Sequence, residues 1–393
     1  PQPSLKAEAK IALFDPRGEP RTLLARLGVR SQPVDAATDL SAFDVLIVGK
    51  AALTADGPAP DIARVRDGLK VLLFEQTAEV LEKRLGLRIA EYGLRQVFRR
   101  VPDHPVLAGL TTENLSDWRG EATLLPAQLK YELRPRHGPT VQWSGLPVPR
   151  LWRCGSRGNV ASVLIEKPAR GDFLSLLDGG YGLHFSTLLE YRDVRGMVLF
   201  CQTDVTGRTE SDPAAEKLAR SLLDHVAAWK PVARRVAVYA GEPAGKSHLE
   251  AAGISVRAYD GGKLSPDEVL VVGPGGGRSL AGRASGVADW LKAGGNLLAV
   301  VIDQGDADAL LPFKVSMKSA EHIAALFAPP GANTLLAGIS PADVHNRDPR
   351  DLPLVTGGAR ILGNGVVAQA EKANVVFCQL APWQFDGSRS SNL

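Results

Sequence analysis

The stretch "KIALFDPRGEPRTLLARLGVRSQPVD" (residues 10–35) decides the fold, because the chain carries a second version of it. It aligns without a gap to "RVAVYAGEPAGKSHLEAAGISVRAYD" (235–260), an offset of 225. Each version reads as an apolar strand, a turn with Gly-Glu-Pro, a helix ending at Gly28 or Gly253, and a second strand. Glycine just past a helix supplies the left-handed residue that ends it without a Cβ clash. The correspondence continues in order. A third strand, "FDVLIVG" (43–49), matches "DEVLVVG" (267–273) at offset 224, and "LKVLLFEQ" (69–76) matches "LLAVVIDQ" (297–304) at 228. Further on, "VLAGLTTENL" (106–115) matches "LLAGISPADV" (335–344) at 229, and "MVLFCQ" (197–202) matches "NVVFCQ" (374–379) at 177.

Near-continuously apolar strands alternating with amphipathic helices imply parallel sheets covered on both faces. The expected fold class is therefore α/β, with two tandem flavodoxin-like, doubly wound parallel sheets in domains 1–231 and 232–393. The offset falls from 229 to 177 between the last two landmarks, so the first copy holds 52 more residues there. These are placed near 123–190, where "KYELRP", "TVQW" and "ASVLIEK" are short strand-like runs separated by Pro and Gly, a small β-rich insertion. The first copy closes with "DPAAEKLARSLLDHVAAW" (212–229), apolar at three- and four-residue spacing, and "KPVARR" (230–235) reads as the linker. The second copy has no matching helix after "APWQFDGSRSSNL", and "PQPSLKAEAK" at the start has neither Met nor a signal-peptide core. Both ends are expected to continue in a longer protein, with domain 2 truncated.

Composition excludes several classes. With 45% hydrophobic and 23% charged residues, the 393-residue chain is ordinary for a globular protein. A net charge of +3, with Arg scattered rather than in runs, gives nucleic acid nothing to bind. No apolar run reaches the roughly 18 residues of a membrane helix. Three cysteines cannot build a disulfide framework. No cofactor and no metal is expected. "GEPAGKS" (241–247) has three residues between its glycines where a phosphate loop needs four, and "GPGGGRS" (273–279) comes one strand late for a dinucleotide fingerprint.

The strand-to-helix turn after the fourth strand carries an acid–Gln pair in both copies, Glu75-Gln76 and Asp303-Gln304. Such a pair can bind ligand at the carboxyl ends of parallel strands, or can simply satisfy buried backbone groups there. Together with "VVGPGGGRS" (271–279) after the third strand, these turns resemble the class I glutamine amidotransferase-like fold. The resemblance implies an oxyanion loop at the Gly-rich stretch and a Cys nucleophile at the elbow after the fourth strand. The elbow falls at Gln76 and at Gln304 in this reading, and neither is Cys. Neither has the small flanking residues that let a nucleophile protrude. An amidotransferase triad is therefore not expected.

Two segments are rich in sugar-binding side-chain types. "HPVLAGLTTENLSDWRGEATLLP" (104–126) holds Trp118, Arg119 and Glu121, and "LWRCGSRGNVASVLIEKPARGDF" (151–173) holds Trp152, Arg153, Arg157, Asn159 and Glu166. Aromatic faces stack on sugar C–H faces while Arg, Asn and carboxylates bind hydroxyls. The plain structural account is a core-anchoring Trp beside surface ion pairs. The combination of "DWRGE", "WRCGSRGNVASVLIEKP" and "MVLFCQTDVTGR" resembles segments of large bacterial glycoside hydrolases of the β-galactosidase type, over most of the chain. That class keeps its catalytic carboxylates in a barrel domain absent here. The lost nucleophile and the resemblance together imply a non-catalytic accessory or assembly region, and the residue types make Gln76, Trp118, Arg119, Glu121, Arg153, Asn159 and Gln304 the candidate ligand-binding residues of a carbohydrate cleft. Its partners would be carbohydrate, other domains of the parent protein or a second copy, and a periplasmic or extracellular setting is favoured over the cytoplasm. Two alternatives stay open: a stand-alone hydrolase using Glu75 and Glu121, and a sugar-binding sensor without hydrolysis.

Overall fold

The computed structural model describes residues 9–122, 124, 141–143, 146–148, 157–168, 170–180, 183–233, 235–346 and 348–384. The chain divides into two compact units, one of residues 1–168 and 172–231, the other of 232–393 with 169–171.

In the first unit, β1 (Ile11–Phe14), α1 (Glu19–Leu27), β2 (Gln32–Pro33), β3 (Val45–Val48) and β4 (Lys70–Leu73) follow one another. Antiparallel strands come next: β5 (Ile89–Leu94), β6 (Phe98–Arg99), β7 (Trp118–Glu121), β8 (Val141–Trp143), β9 (Leu146–Val148), β10 (Arg157–Gly158), β11 (Ala161–Glu166), β12 (Phe173–Gly179) and β13 (Phe185–Arg192). The chain then returns through β14 (Met197–Cys201) and α2 (Pro213–Ala228). The main sheet runs β2-β1-β3-β4-β14-β13-β11-β5, and the first five strands of this order are mutually parallel. That 2-1-3-4-5 order is the flavodoxin-like doubly wound one. The apolar runs explain it: every residue of β1 and β3 is buried, so helices must cover both faces. Gly28 ends α1 at φ 76°, its N–H bonded to the Ala25 carbonyl. Asp212 caps α2 by accepting the Ala214 N–H, and Ala215, Leu218, Ala219, Leu222, Leu223 and Val226 form its buried stripe.

Antiparallel pairing in this unit begins at Ile89, upstream of the insertion expected near 123–190, much of which lies outside the described residues. After the fourth strand, the helix of the strand-to-helix turn at Glu75-Gln76 is a short π-helical turn, Val80–Arg84.

The second unit runs β15 (Val236–Ala240), α3 (Pro243–Ala251), β16 (Val256–Ala258), β17 (Glu268–Val272), α4 (Gly276–Ser279), α5 (Ala284–Lys292), β18 (Asn296–Val300) and α6 (Gln304–Leu310). It continues with β19 (Ser316–His322), β20 (Arg350–Gly357), β21 (Arg360–Leu362), β22 (Val367–Gln369) and β23 (Val375–Cys378). Its sheet is ordered β16-β15-β17-β18-β23-β22-β21, again with five parallel strands first. Here too antiparallel strands fill the interval between the fourth and fifth parallel strands, with β19 and β20 forming a separate ribbon. Each unit has its own core, around Leu46, Val71 and Leu73 in the first and Leu270, Val272 and Phe377 in the second. No helix among the described residues is long and apolar enough to cross a membrane.

Candidate functional site

Open α/β sheets bind ligands at the carboxyl ends of their strands. In the first unit that edge brings together Lys50 after β3, Glu75 and Gln76 after β4, and the segment 202–208 after β14. Glu75 and Gln76 are fully buried. Gln76 works entirely on the main chain: its Oε1 accepts the Leu53 N–H at 3.1 Å, and its Nε2 donates to the carbonyls of Gly49 (2.7 Å) and Phe74 (2.6 Å). Its own backbone is held by Gln202, whose Oε1 accepts the Gln76 N–H and whose Nε2 donates to the Gln76 carbonyl, both at 2.9 Å.

The Glu75 carboxyl meets Thr206 twice, accepting its N–H and its hydroxyl, each at 2.8 Å. Burial, reinforced by the neighbouring Asp204 carboxylate, pushes the Glu75 pKa up to about 7, with Thr206 and Lys50 opposing. Asp204 is itself buried and paired at 2.9 Å with buried Arg208. Arg208 also donates to the carbonyls of Trp118 and Arg119, both at 2.8 Å. The 203–208 run thus touches both places, Thr206 holding Glu75 and Arg208 holding the 118–119 carbonyls, and the sequence did not single out Asp204, Thr206 or Arg208. Their "TDVTGR" run follows the fifth strand directly, and that position at the sheet's carboxyl edge is the signal that could have found them.

The remaining shortlisted residues are dispersed. Trp118 is 1% exposed and its indole N–H bonds the Asn114 carbonyl at 2.8 Å, so it anchors the core and has no face open for a sugar. Asn159 is fully buried against Gly93. Arg119 is exposed, and its peptide is tied to Asp212 and Arg208. Glu121 pairs at 3.0 Å with Arg157 on the surface, and Glu166 with Arg88 at 3.2 Å. Arg153 and Trp152 lie outside the described residues.

In the second unit the hydrogen bonding relocates the elbow. Gln379 is the counterpart of Gln202 in the shared "VFCQ"/"LFCQ" ending, and its Nε2 donates to the Ile302 carbonyl at 3.0 Å. Gln202 makes the same bond to Gln76, so Ile302 stands where Gln76 stands, an offset of 226 instead of 228. Strand register agrees, since Phe200 faces Leu73 and Phe377 faces Ala299, each three residues before the position in question. The elbow pair is therefore Val301-Ile302, and the expectation of Asp303-Gln304 there is corrected: two extra residues separate it from the strand. Val301 sits at φ 50°, a strained conformation for a β-branched residue, and Ile302 is buried. Gln304 instead opens α6 and fastens β19, accepting the Met317 N–H and donating to the Val315 carbonyl, each at 2.9 Å.

The Gly-rich stretch is likewise occupied from within. Asp306 is 1% exposed, and its carboxylate accepts the Gly275 N–H at 2.9 Å and the Arg278 N–H at 3.0 Å. A Cβ at Gly277 would come within 2.2 Å of the Asp306 carbonyl oxygen, so only glycine fits. The Arg278 guanidinium pairs with exposed Asp303. Amides that could hold an oxyanion already hold a carboxylate.

No family model matches the chain, and a search of curated proteins finds no match. Among solved structures, the chain is similar to a putative GMP synthase component from Thermoplasma acidophilum at 13% identity and TM-score 0.33, covering 56% of this chain and 94% of that one. It is similar to a cytoplasmic protein from Salmonella typhimurium at 13% identity and TM-score 0.31, covering 52% and 84%. A cold-adapted β-galactosidase from Rahnella sp. R3 is similar at 15% identity and TM-score 0.23, covering 44% of this chain and 32% of that one.

Proposed function

We propose that this chain is a non-catalytic accessory and assembly region of a large glycoside hydrolase of the β-galactosidase type, formed by two related amidotransferase-like units. One observation carries the non-catalytic part: neither elbow holds a nucleophile. Glu75 and Gln76 are sealed against Thr206 and main-chain groups, and Val301 and Ile302 are aliphatic. The glycoside hydrolase setting is supported by the sequence resemblance of "DWRGE" and "MVLFCQTDVTGR". Any wall of a carbohydrate cleft would rest on Arg119, Glu121 and Arg157, which are exposed, and not on Trp118.

A specific observation favours a second reading. Burial and Asp204 raise the Glu75 pKa to about 7, in the range a general acid uses, while in this structure the carboxyl has no exposure and meets Thr206. One assay separates the two. With chromogenic glycosides the chain alone is expected to give no turnover. Turnover that disappears in Glu75→Gln would overturn the accessory reading. Calorimetric titration with mono- and disaccharides tests the cleft wall: heat of binding that is lost in Arg119→Ala supports it, and no heat leaves assembly as the role.

A further inference from the structure

We infer that His104, Glu190 and His225 of the first unit form a binding site for a divalent transition-metal ion of the Zn2+ class. The inference does not rest on the accessory reading. The three residues come from distant parts of the chain: His104 precedes a 3-10 turn (Pro105–Leu107), Glu190 lies in β13, and His225 lies in the last turn of α2. Their Nε2, Oε2 and Nε2 atoms converge. Glu190 Oε2 is 2.7 Å from His225 Nε2 and 3.8 Å from His104 Nε2, and the three donor atoms all lie within 4.8 Å of one another. The imidazole rings approach edge to face, 4.7 Å between centroids.

Two neutral imidazoles and one carboxylate are the donor set of many three-ligand Zn2+ sites, which leave a further position for water. Here the support around the donors is also built. Arg192 Nε holds Glu190 Oε1 at 2.5 Å, which turns Oε2 towards the two rings. His104 is 5% exposed, and its Nε2 faces Glu190 Oε2 at 3.8 Å. Access is from the His225 side, 12% exposed where Glu190 is 1% exposed.

Without the ion, His104 Nδ1 accepts the Val106 N–H at 3.3 Å, which puts the ring proton on Nε2. Entry of the ion moves that proton to Nδ1 and displaces the proton between His225 and Glu190. The proton from the His225–Glu190 pair passes to solvent; the 3.3 Å bond to Val106 and the 2.7 Å bond between His225 and Glu190 are given up, and three metal–ligand bonds form. The ion would then tie α2 and the 104 segment to β13.

The chain, stripped with EDTA and dialysed, is titrated with Co2+ and then with Zn2+. One equivalent of Co2+ is expected to bind with the intense visible absorption of a low-coordinate N/O site, and Zn2+ to abolish that absorption by displacement. Zn2+ should also raise the melting temperature, because a ligand of the native state stabilises it by mass action. His225→Gln, at the exposed side of the cluster, should weaken binding by at least about 100-fold, the upper end of the cost of losing even an outer-shell partner. His345→Gln, an exposed histidine elsewhere, should leave both readouts unchanged. Absence of the cobalt absorption in the unmodified chain overturns the inference whatever the variants do, and so does equal affinity in folded His225→Gln.

Discussion

Glu75 carries no charge it can easily keep. With no exposure and Asp204 beside it, its folded pKa of about 7 stands above the ordinary 4.5 of the unfolded chain. The folded state therefore binds the extra proton, and the sign follows: this group's contribution is complete below pH 4.5, declines as pH rises, and is lost above 7. At about 1.4 kcal/mol per pH unit, the decline amounts to a few kcal/mol. Glu75→Gln, which keeps the shape and removes the ionisation, is expected to be less destabilised at pH 7.5 than at pH 5 relative to the parent, as read from urea midpoints. An unchanged difference between the two pH values would remove the raised pKa. Gln76 differs in kind, because it has no charge and every amide atom is used. Gln76→Ala orphans the buried Leu53 N–H and takes a donor from the Phe74 and Gly49 carbonyls, of which Gly49 keeps the Ala52 N–H, a loss of about 2 kcal/mol or more by the same measurement. Glu121→Ala breaks only an exposed pair with Arg157 and should cost under about 1 kcal/mol. Sequence alone ranked Glu75 and Glu121 together, because what separates them is contact with distant residues. Thr206, 131 positions on from Glu75, helps to seal it inside, whereas Arg157 meets Glu121 at the surface.

The elements that were legible are those defined by local chemistry. The 212–229 stretch becomes Pro213–Ala228 because Asp212 caps it and one apolar stripe runs its length, and Gly28 ends α1 in the left-handed conformation. The strands β1, β3 and β4 are apolar on both faces and could hardly be anything else. The antiparallel strands from Ile89 onward were harder, because β5 alternates little and its pairing partner β11 lies some seventy residues on. The Gly-rich loop was legible as a loop and misleading as a site. Its glycines are explained by Asp306, whose carboxylate takes the amides of Gly275 and Arg278 and whose backbone crowds Gly277. Asp306→Ala leaves two amides without their acceptor and should cost about 2–4 kcal/mol in chemical denaturation. Arg278→Ala removes the pair to exposed Asp303 and a 3.5 Å contact to Asp306 but keeps the amide bond, so its loss should be the smaller of the two, about 1 kcal/mol. Equal losses in the two variants would mean that the guanidinium, not the amide bonds, holds the loop.

Across the whole molecule, five parallel strands in 2-1-3-4-5 order recur in both units; sequence comparison named four in each and matched the segments 197–202 and 374–379 that hold the fifth. It failed by two residues at the second elbow, because the similar dipeptide endings "DQ" and "EQ" outweighed the hydrogen bond that marks equivalence, Gln202 to Gln76 and Gln379 to Ile302. The His104–Glu190–His225 cluster had no sequence signal at all, its members being separated by 86 and 35 positions. Each unit has buried apolar clusters of its own among the described residues. Leu46 and Leu270 are both fully buried, each at the centre of its own sheet. Cutting either to Ala removes apolar burial and leaves a cavity, about 2–5 kcal/mol. Because stability in a chain with distinct cores is distributed by unit, the loss should stay local. Amide hydrogen exchange on Leu46→Ala is expected to speed up in β1, β3 and β4 and remain unchanged in β15, β17 and β18, with the pattern reversed in Leu270→Ala. Acceleration in both sheets from either substitution would mean that the two cores open as one cooperative unit, and the division into separately stabilised sheets would have to be given up.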